Sequence, residues 1–371
     1  MRKAIYLGLV IMLVASFTLV AIPQAAAATT WTVDDDPGAD FTSIQDAIDA
    51  ASNGDTILVA EGIYYENLEW YTDLTIIGAG TSNTTIDGGD VSDTVIIVGE
   101  IDNSRLEGFS IINGEGSMGG GMNIDGDVGE LIVENCVFEN NYASQGGGGV
   151  NYGFGGRSPA FINCHFVNNE AGCSGGGMRA NGHATLIDCV FEGNIANDLG
   201  GGLKTGCDGD LDVSNCTFTN NNASRGGGIA VDGACALANI TGCVFINNFA
   251  SLTGGGVYTS YIPDCGLATV TSSVFWNNET DGLGGGFYAL ANAIITNCTF
   301  VENYANGAEV PVPYYGGGLY DSSLNSKVTN CIFWGNVGFD ENDQIFPPAG
   351  TAGPPPTTPP PTTFPPITFE P

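Results

Sequence analysis

The sequence has very little positive charge. Eight Lys and Arg residues stand against 41 Asp and Glu, which gives a formal net charge of −33 at pH 7. A surface with this charge repels phosphate backbones and anionic lipid head groups, so we expect neither nucleic acids nor membrane surfaces as partners. Charged residues make up only 13% of the chain, about half the usual share, which argues against long solvent-exposed helices.

Long apolar runs are also lacking after residue 22. Ala4–Ile22 is almost entirely apolar, follows the basic pair Arg2 and Lys3, and precedes the small residues Ala25–Ala28. This order is typical of a secretory signal peptide over residues 1–28, and it predicts a secreted or cell-surface protein. An uncleaved membrane anchor is the alternative. In either case we expect no membrane insertion of the mature body.

Glycine, by contrast, is abundant and regularly placed. The chain has 56 glycines, and Gly-Gly-Gly occurs eight times, each time followed by an apolar residue. The triplets end at Gly121, Gly149, Gly177, Gly202, Gly228, Gly256, Gly286 and Gly318. Such a period indicates a solenoid, because a single short repeat cannot bury its own apolar face.

A second signature lies between the triplets. It reads apolar residue, any residue, usually Asn, usually Cys, any residue and Phe, with Asn three positions later. Its phenylalanines are Phe138, Phe166, Phe191, Phe218, Phe245, Phe275, Phe300 and Phe333. Its first positions are Val133, Phe161, Leu186, Val213, Ile240, Val270, Ile295 and Val328. Apolar and variable residues that alternate over such short stretches predict short strands joined by tight turns.

These repeats predict an all-β fold, a right-handed parallel β-helix with one coil per repeat. Like residues of consecutive coils would stack ~4.8 Å apart and form the core of a rod roughly 50 Å long. Gly and Asn suit the turns because they tolerate positive φ. We further predict an N-terminal capping helix over Thr42–Ser52, with Thr42 and Gln45 forming a capping box.

The C-terminal region divides into two parts. The β-helix is predicted to occupy residues 29–346, with Ile345 and Phe346 closing the last coil. Residues 347–371 contain 11 of the 17 prolines together with many threonines, which predicts an extended stalk or linker.

Several motifs in the first coils and the repeats resemble known families. The motifs are TVDDD at 32–36, FTSIQDAI at 41–48, GDTILV at 54–59 and GIYYE at 62–66. They resemble the first coils of pectin-lyase-like parallel β-helices, and the triplets with Phe-x-x-Asn resemble the repeats of surface-exposed polymorphic outer-membrane proteins, which are linked to adhesion. These resemblances cover about residues 31–337 and imply the fold. They leave the function open, because this scaffold carries lyases, hydrolases, esterases, adhesins and spacers. The later catalytic elements of pectinesterases and the Arg motif of pectate lyases are absent.

The eleven cysteines fall into two groups. Seven belong to the repeat signature, namely Cys136, Cys164, Cys189, Cys216, Cys243, Cys298 and Cys331. We expect them to be buried free thiols, because stacked neighbours are poorly placed for disulfide geometry. The other four are Cys173, Cys207, Cys235 and Cys265, and a bridge between adjacent coils is plausible among the last three. No Cys-x-x-Cys pair favours zinc, and no metal site is predicted.

The position two residues after each triplet is the candidate binding site. It is predicted to point outward, and down the coils it gives Arg179, Lys204, Tyr258, Tyr288 and Tyr320, preceded by Asn. Two basic residues followed by a row of aromatic rings predict a groove for an extended polysaccharide, including an anionic one, or for another surface glycan. The alternative is an aromatic ladder that only strengthens packing between strands.

Catalysis is the alternative function. Arg157, Arg179, Lys204 and Arg225 lie near Asp208, Asp210 and Asp212 in sequence. A polysaccharide lyase could use Arg179 or Lys204 to abstract a proton and the aspartates to hold Ca²⁺. Local balancing of an acidic surface explains the same residues. We therefore expect a binding or adhesive protein without a cofactor, with a polysaccharide lyase or glycoside hydrolase as the alternative.

Overall fold

The structure is a computed structural model of the chain. It describes residues 27–98, 101–126, 128–153, 158–206, 210–233, 237–260, 267–307, 316–323, 326–338 and 345–346. Within those ranges no helix has the length and hydrophobicity needed to cross a membrane.

The chain winds into a solenoid whose strands form four parallel sheets, which we name A to D in the order that a coil meets them. The twelve strands of sheet A are Thr30–Val33, Asp55–Val59, Leu74–Gly78, Ser104–Glu107, Leu131–Glu134, Ala160–Ile162, Ala184–Ile187, Leu211–Ser214, Leu237–Thr241, Leu267–Thr271, Ala293–Thr296 and Lys327–Thr329. The eleven strands of sheet B are Gly62–Tyr64, Thr84–Asp87, Ser110–Ile112, Val137–Glu139, His165–Val167, Val190–Glu192, Thr217–Thr219, Val244–Ile246, Val274–Trp276, Thr299–Val301 and Ile332–Trp334.

The other two sheets complete each coil. The eight strands of sheet C are Glu115–Met118, Tyr142–Gly146, Glu170–Ala171, Ile195–Ala196, Asn222–Arg225, Phe249–Thr253, Glu279–Thr280 and Tyr304–Ala305. The eleven strands of sheet D are Leu68–Trp70, Val95–Val98, Met122–Asp125, Val150–Tyr152, Met178–Ala180, Leu203–Thr205, Ile229–Val231, Val257–Thr259, Phe287–Ala289, Leu319–Asp321 and Ile345–Phe346. The predicted parallel β-helix is confirmed.

The phenylalanines of the repeat form one continuous stack inside the solenoid. From Phe138 to Phe333, consecutive ring centroids lie 4.4–5.2 Å apart with interplanar angles of 2–11°. All eight rings are buried in one core cluster that runs through the coils. Stacked rings contribute dispersion contacts beyond the burial of their area, so the repeat fixes the register of the coils.

The Asn of Phe-x-x-Asn forms a second buried ladder. In seven steps, the Nδ2 of one Asn donates to the Oδ1 of the Asn one coil later, at 2.8–3.0 Å. The members are Asn141, Asn169, Asn194, Asn221, Asn248, Asn278, Asn303 and Asn336. Because a buried amide must be hydrogen-bonded, this ladder turns a polar residue into a coil-to-coil link.

Two turns of each coil use positive φ. Asn135, between sheets A and B, has φ 51°, and Asn140, after sheet B, has φ 56°. Equivalent positions in the later coils carry Asn, Asp, Gly, Ser or Glu, again with positive φ. These turns explain the regular Asn and Gly of the signature.

The glycine triplets allow two segments of backbone to pass closely. The first glycine of each triplet has φ between +49° and +71°. At the second position, a Cβ on Gly201 would lie 2.5 Å from the carbonyl oxygen of Asn222 and 2.6 Å from that of Gly227. Sheet C of the next coil therefore packs directly on the triplet, which no other residue would permit.

A short helix, α1 at Ile44–Ala50, packs against the first strands. It is shorter than predicted, and its N-cap is Ser43 rather than Thr42, with the Ser43 Oγ accepting from the Asp46 N–H at 3.3 Å. The Glu66 carboxylate accepts from the first backbone N–H groups, including that of Ile44 at 2.9 Å. A residue from a distant turn thus satisfies the groups that the predicted capping box would serve.

At the other end, Ile345–Phe346 adds one more strand to sheet D, and Ile345 packs on the core. The first position of the last repeat, Val328, is 38% exposed, although Val270 and Ile295 on earlier coils are fully buried. The last coil is therefore only partly covered by the residues that the structure describes.

The cysteines of the repeat are free and line the core, with Cys331 partly exposed. Burial raises the pKa of Cys136 to about 12. Cys173 is free and exposed. The predicted bridge among the remaining three concerns Cys207, Cys235 and Cys265, which lie outside the described residues.

Candidate functional site: a covered column and an acidic pocket

The predicted binding column lies on the outward face of sheet D. Each member is the second residue of its strand, and register pairs align the members along the solenoid axis. They are Asn123, Asn151, Arg179, Lys204, Ala230, Tyr258, Tyr288 and Tyr320. The structure therefore brings the two basic residues side by side and places the three tyrosines in a row.

Much of this column is covered rather than open. The segment between sheets C and D lies over it, and Tyr258 packs with Leu199 and Ala230 and is only 8% exposed. The Tyr258 and Tyr288 ring centroids lie 5.7 Å apart, and Tyr320 stacks on Tyr288 at 5.2 Å. Burial is the main cause that raises the pKa of Tyr258 to about 12. Tyr258 points away from the core, but it offers no open ring, because the segment between sheets C and D covers it.

The two basic residues of the column, Arg179 and Lys204, also contact neighbouring side chains. The Lys204 Nζ donates to the Asn181 Oδ1 at 3.1 Å, and Lys204 is only 6% exposed. The Arg179 Nη1 lies 3.5 Å from the Met118 Sδ, and Arg179 stays partly exposed. Of the two, Arg179 is the better placed to meet a ligand.

The residues of the predicted lyase site do not all come together. Arg179 and Lys204 face outward from sheet D, whereas Asp212 lies exposed on sheet A. Arg157 and Asp208 lie outside the described residues. A base from sheet D and a Ca²⁺ ligand at Asp212 would thus act on different faces of the solenoid.

An open pocket of about 500 Å³ lies at the N-terminal end of the same column, where sheet C begins. We call it the acidic pocket. Its lining residues are Asp90, Val91, Ser92, Asp93, Ile96, Glu115, Gly116, Ser117, Tyr142 and Ser144. Ile96 pairs in register with Asn123, so the pocket continues directly into the column. Three carboxylates, three hydroxyl groups of serine and an exposed tyrosine ring thus share one cavity.

Asp93 is the most perturbed carboxyl group of the pocket. Burial raises the pKa of Asp93 to about 6, and a side-chain hydrogen bond with Asn123 opposes this rise. Asn123 is itself fixed, because its Oδ1 accepts from the Asn151 Nδ2 at 2.9 Å. A Cβ at Gly116 would collide with the Asp93 carboxylate, so this glycine makes room for it. A carboxyl group with this pKa can donate a proton near neutral pH.

Sequence reasoning missed this pocket. Its carboxylates come from the irregular coils before the regular repeat, and no spacing in the sequence links Asp90 and Asp93 to Glu115. One signal was available in the sequence. Ile96 occupies the column position one coil before Asn123, so it extends the predicted binding column toward the N-terminal end.

The sheet topology and a comparison with protein families together define the fold. Residues 228–345 match the family model described as "Right handed beta helix region". Together with the sheet topology, this match shows that the chain folds as a right-handed parallel β-helix. The comparisons do not confirm the resemblance to outer-membrane protein repeats.

Solved structures with a similar path of the chain are known. A pectin methylesterase from Aspergillus niger is 14% identical, with 89% of this chain and 93% of that chain covered and a TM-score of 0.38. A pectate lyase is 14% identical, with 82% and 78% covered and a TM-score of 0.45. The catalytic unit of an α-1,3-glucanase from Streptomyces thermodiastaticus is 14% identical, with 86% and 70% covered and a TM-score of 0.40. A search of curated proteins gave no match.

Proposed function

We propose that this protein is an exported β-helix that binds polysaccharide at the cell surface, with the acidic pocket as its principal site. The observation that carries the proposal is the composition of this open cavity. The exposed ring of Tyr142 lies beside carboxylates and serine hydroxyl groups, which can stack on and hydrogen-bond to a sugar.

The charge of the pocket narrows the class of ligand. Asp90, Asp93 and Glu115 line one cavity, and the whole chain carries a formal charge of −33. This field disfavours polyuronic acids, whose carboxylates would be brought among others of the same sign. We therefore propose a neutral or amino-bearing glycan.

Export and surface location belong to the same proposal. They are supported by the signal-like residues 1–28 and by the Pro- and Thr-rich residues 347–371, which would hold the rod away from its point of attachment. Adhesion follows if the bound glycan belongs to another surface.

Glycoside hydrolysis is the second candidate, and Asp93 favours it. A hydrolase needs one carboxylic acid to protonate the leaving oxygen and a second carboxylate to act as base or nucleophile. Asp93, with its pKa raised to about 6 by burial, suits the first role, and Glu115 or Asp90 could supply the second.

The test is binding to a panel of soluble neutral, amino-bearing and anionic oligosaccharides by calorimetry, with release of reducing sugar measured in parallel. For Tyr142→Ala we expect about tenfold weaker binding of the preferred glycan. Tyr65→Ala removes a ring that is 74% exposed outside the pocket and is the matched control. Equal binding by wild type and Tyr142→Ala, or a preference for anionic chains, would contradict the proposal. Loss of sugar release in Asp93→Asn with binding retained would establish the hydrolase.

A further inference from the structure

The outward face of sheet B changes character along the solenoid. In its last four strands, all eight outward positions are uncharged, and we call this surface the indole strip. Its members are Val244, Ile246, Val274, Trp276, Thr299, Val301, Ile332 and Trp334. The four preceding strands carry Glu139, His165 and Glu192 at equivalent positions. A neutral apolar surface on a chain of charge −33 marks a site for an uncharged partner.

Two indole rings dominate the strip. Trp276 is 43% exposed and Trp334 is 36% exposed, and register pairs place Val301 between them. The Trp276 Nε1 donates to the Glu302 Oε2 at 3.0 Å, so this indole leans along the axis toward the next coil. Val301 is consequently only 5% exposed. A ring held in this way loses little conformational freedom when it binds a ligand.

Polar side chains border the strip on both edges. On the edge toward sheet C, Asn277 and Asn247 are exposed and linked, with the Asn277 Nδ2 donating to the Asn247 Oδ1 at 2.8 Å, and the exposed carboxylate of Glu302 occupies the equivalent turn of the next coil. On the edge toward sheet A, Ser272, Asn297 and Asn330 are exposed. Amides and hydroxyl groups both donate and accept hydrogen bonds. A ligand that fits this surface therefore has an apolar face and hydroxyl groups along its two sides.

The dimensions of the strip exclude a large protein partner. Four strands span about 15 Å along the axis, and the two outward columns lie about 7 Å apart. This area is far below the roughly 800 Å² that each partner contributes to a standard protein interface. A single extended chain, however, can lie along it. The two indoles are two coils apart, about 10 Å, which is close to the length of two linked sugar rings.

From these observations we infer that the indole strip is a second glycan-binding surface, which takes one uncharged polysaccharide chain lying along the solenoid axis. The C–H faces of the sugar rings would contact Trp276 and Trp334, and their hydroxyl groups would meet the bordering amides. This site is separate from the acidic pocket and does not depend on the function proposed for it.

The experiment measures binding of the full chain to microcrystalline cellulose and to a soluble neutral β-glucan, with tryptophan fluorescence as the readout for the soluble ligand. We expect a fluorescence change on titration and about tenfold weaker binding for Trp276→Ala and for Trp334→Ala. Leu58→Ala removes a side chain that is 41% exposed on sheet A and should leave binding unchanged. The fluorescence change reports on the indoles of the strip, so its loss in the double variant Trp276→Ala and Trp334→Ala separates this site from the acidic pocket.

Three results would overturn the inference. The first is the absence of binding to both neutral glucans. The second is a fluorescence change on titration with the soluble glucan that survives the double variant Trp276→Ala and Trp334→Ala. The third is a monomer–dimer equilibrium, seen by light scattering, that the double variant abolishes, because the strip would then be an interface between two copies of the chain.

Discussion

The inward and outward columns of sheet B follow opposite rules. Inward, every strand of the regular repeat carries Phe, and the rings stack without interruption. Outward, the residue next to each Phe differs from coil to coil: Glu139, Val167, Glu192, Thr219, Ile246, Trp276, Val301 and Trp334. Each inward side chain must match a neighbour above and below, whereas an outward side chain faces solvent or a ligand. The repeating positions therefore define the fold, and the residues proposed to bind glycan are positions that break the repeat.

The strongest test of this contrast is Phe218→Ala. The ring is fully buried between those of Phe191 and Phe245, at centroid distances of 4.7 and 5.0 Å. Its removal should destabilise the protein by about 3–5 kcal/mol, through lost burial and an internal cavity. Thr219→Ala, on the outward face of the same strand, should change stability by less than about 0.5 kcal/mol. The midpoint of urea unfolding measures both, and equal effects would contradict the contrast.

The buried asparagines should come next in effect. In Asn221→Ala, the backbone N–H and the Nδ2 of Asn194 lose their acceptor, which now lies at 3.0 and 2.9 Å. A buried donor without a partner costs about 1–3 kcal/mol. Asn197→Ala removes an exposed side chain that donates to Gly172, and it should cost much less. If the midpoint of thermal unfolding falls by the same amount in both variants, the Asn ladder is not the coil-to-coil link described above.

Labelling of the cysteines tests the same contrast between inward and outward positions in the wild-type protein, without a substitution that alters its stability. In the folded protein, a maleimide reagent should label Cys173, which is exposed, and leave the buried Cys136 unlabelled. The pKa of Cys136, raised to about 12 by burial, keeps its thiol protonated, and the thiolate is the form that reacts. Peptide mapping by mass spectrometry, before and after denaturation, should show the six fully buried repeat cysteines reacting only in the unfolded chain. Rapid labelling of Cys136 in the folded protein would show that the core opens.

The fold could be predicted because its determinants recur. Phe218 and Asn221 each have a counterpart in every regular coil, so one pattern repeated eight times identifies strands, turns and core. The structural role of the glycine triplets was harder to predict from the sequence. Close approach of the backbone at Gly201 depends on sheet C, whose strand Ile195–Ala196 is too short to show a periodic pattern.

The candidate site was only partly predictable for the same reason. The column with Arg179 and Tyr288 was found because it recurs at a fixed distance from the triplet. The covering of Tyr258 by Leu199 was not, because it depends on the path of the segment between sheets C and D. Asp93 and Glu115 meet only in the folded chain, in coils that lack the repeat.

The two ends of the solenoid are unequal, and this inequality gives its assembly a direction. Helix α1 covers the end that is synthesised first, whereas Val328 at the opposite end keeps over a third of its surface in contact with water. A chain that emerges amino end first can therefore wind each new coil onto a folded one, because the rings and amides of the folded coil provide stacking and hydrogen-bonding partners for the next. Synthesis on the ribosome delivers a polypeptide in that order, and a rod built this way would need no partner to start it.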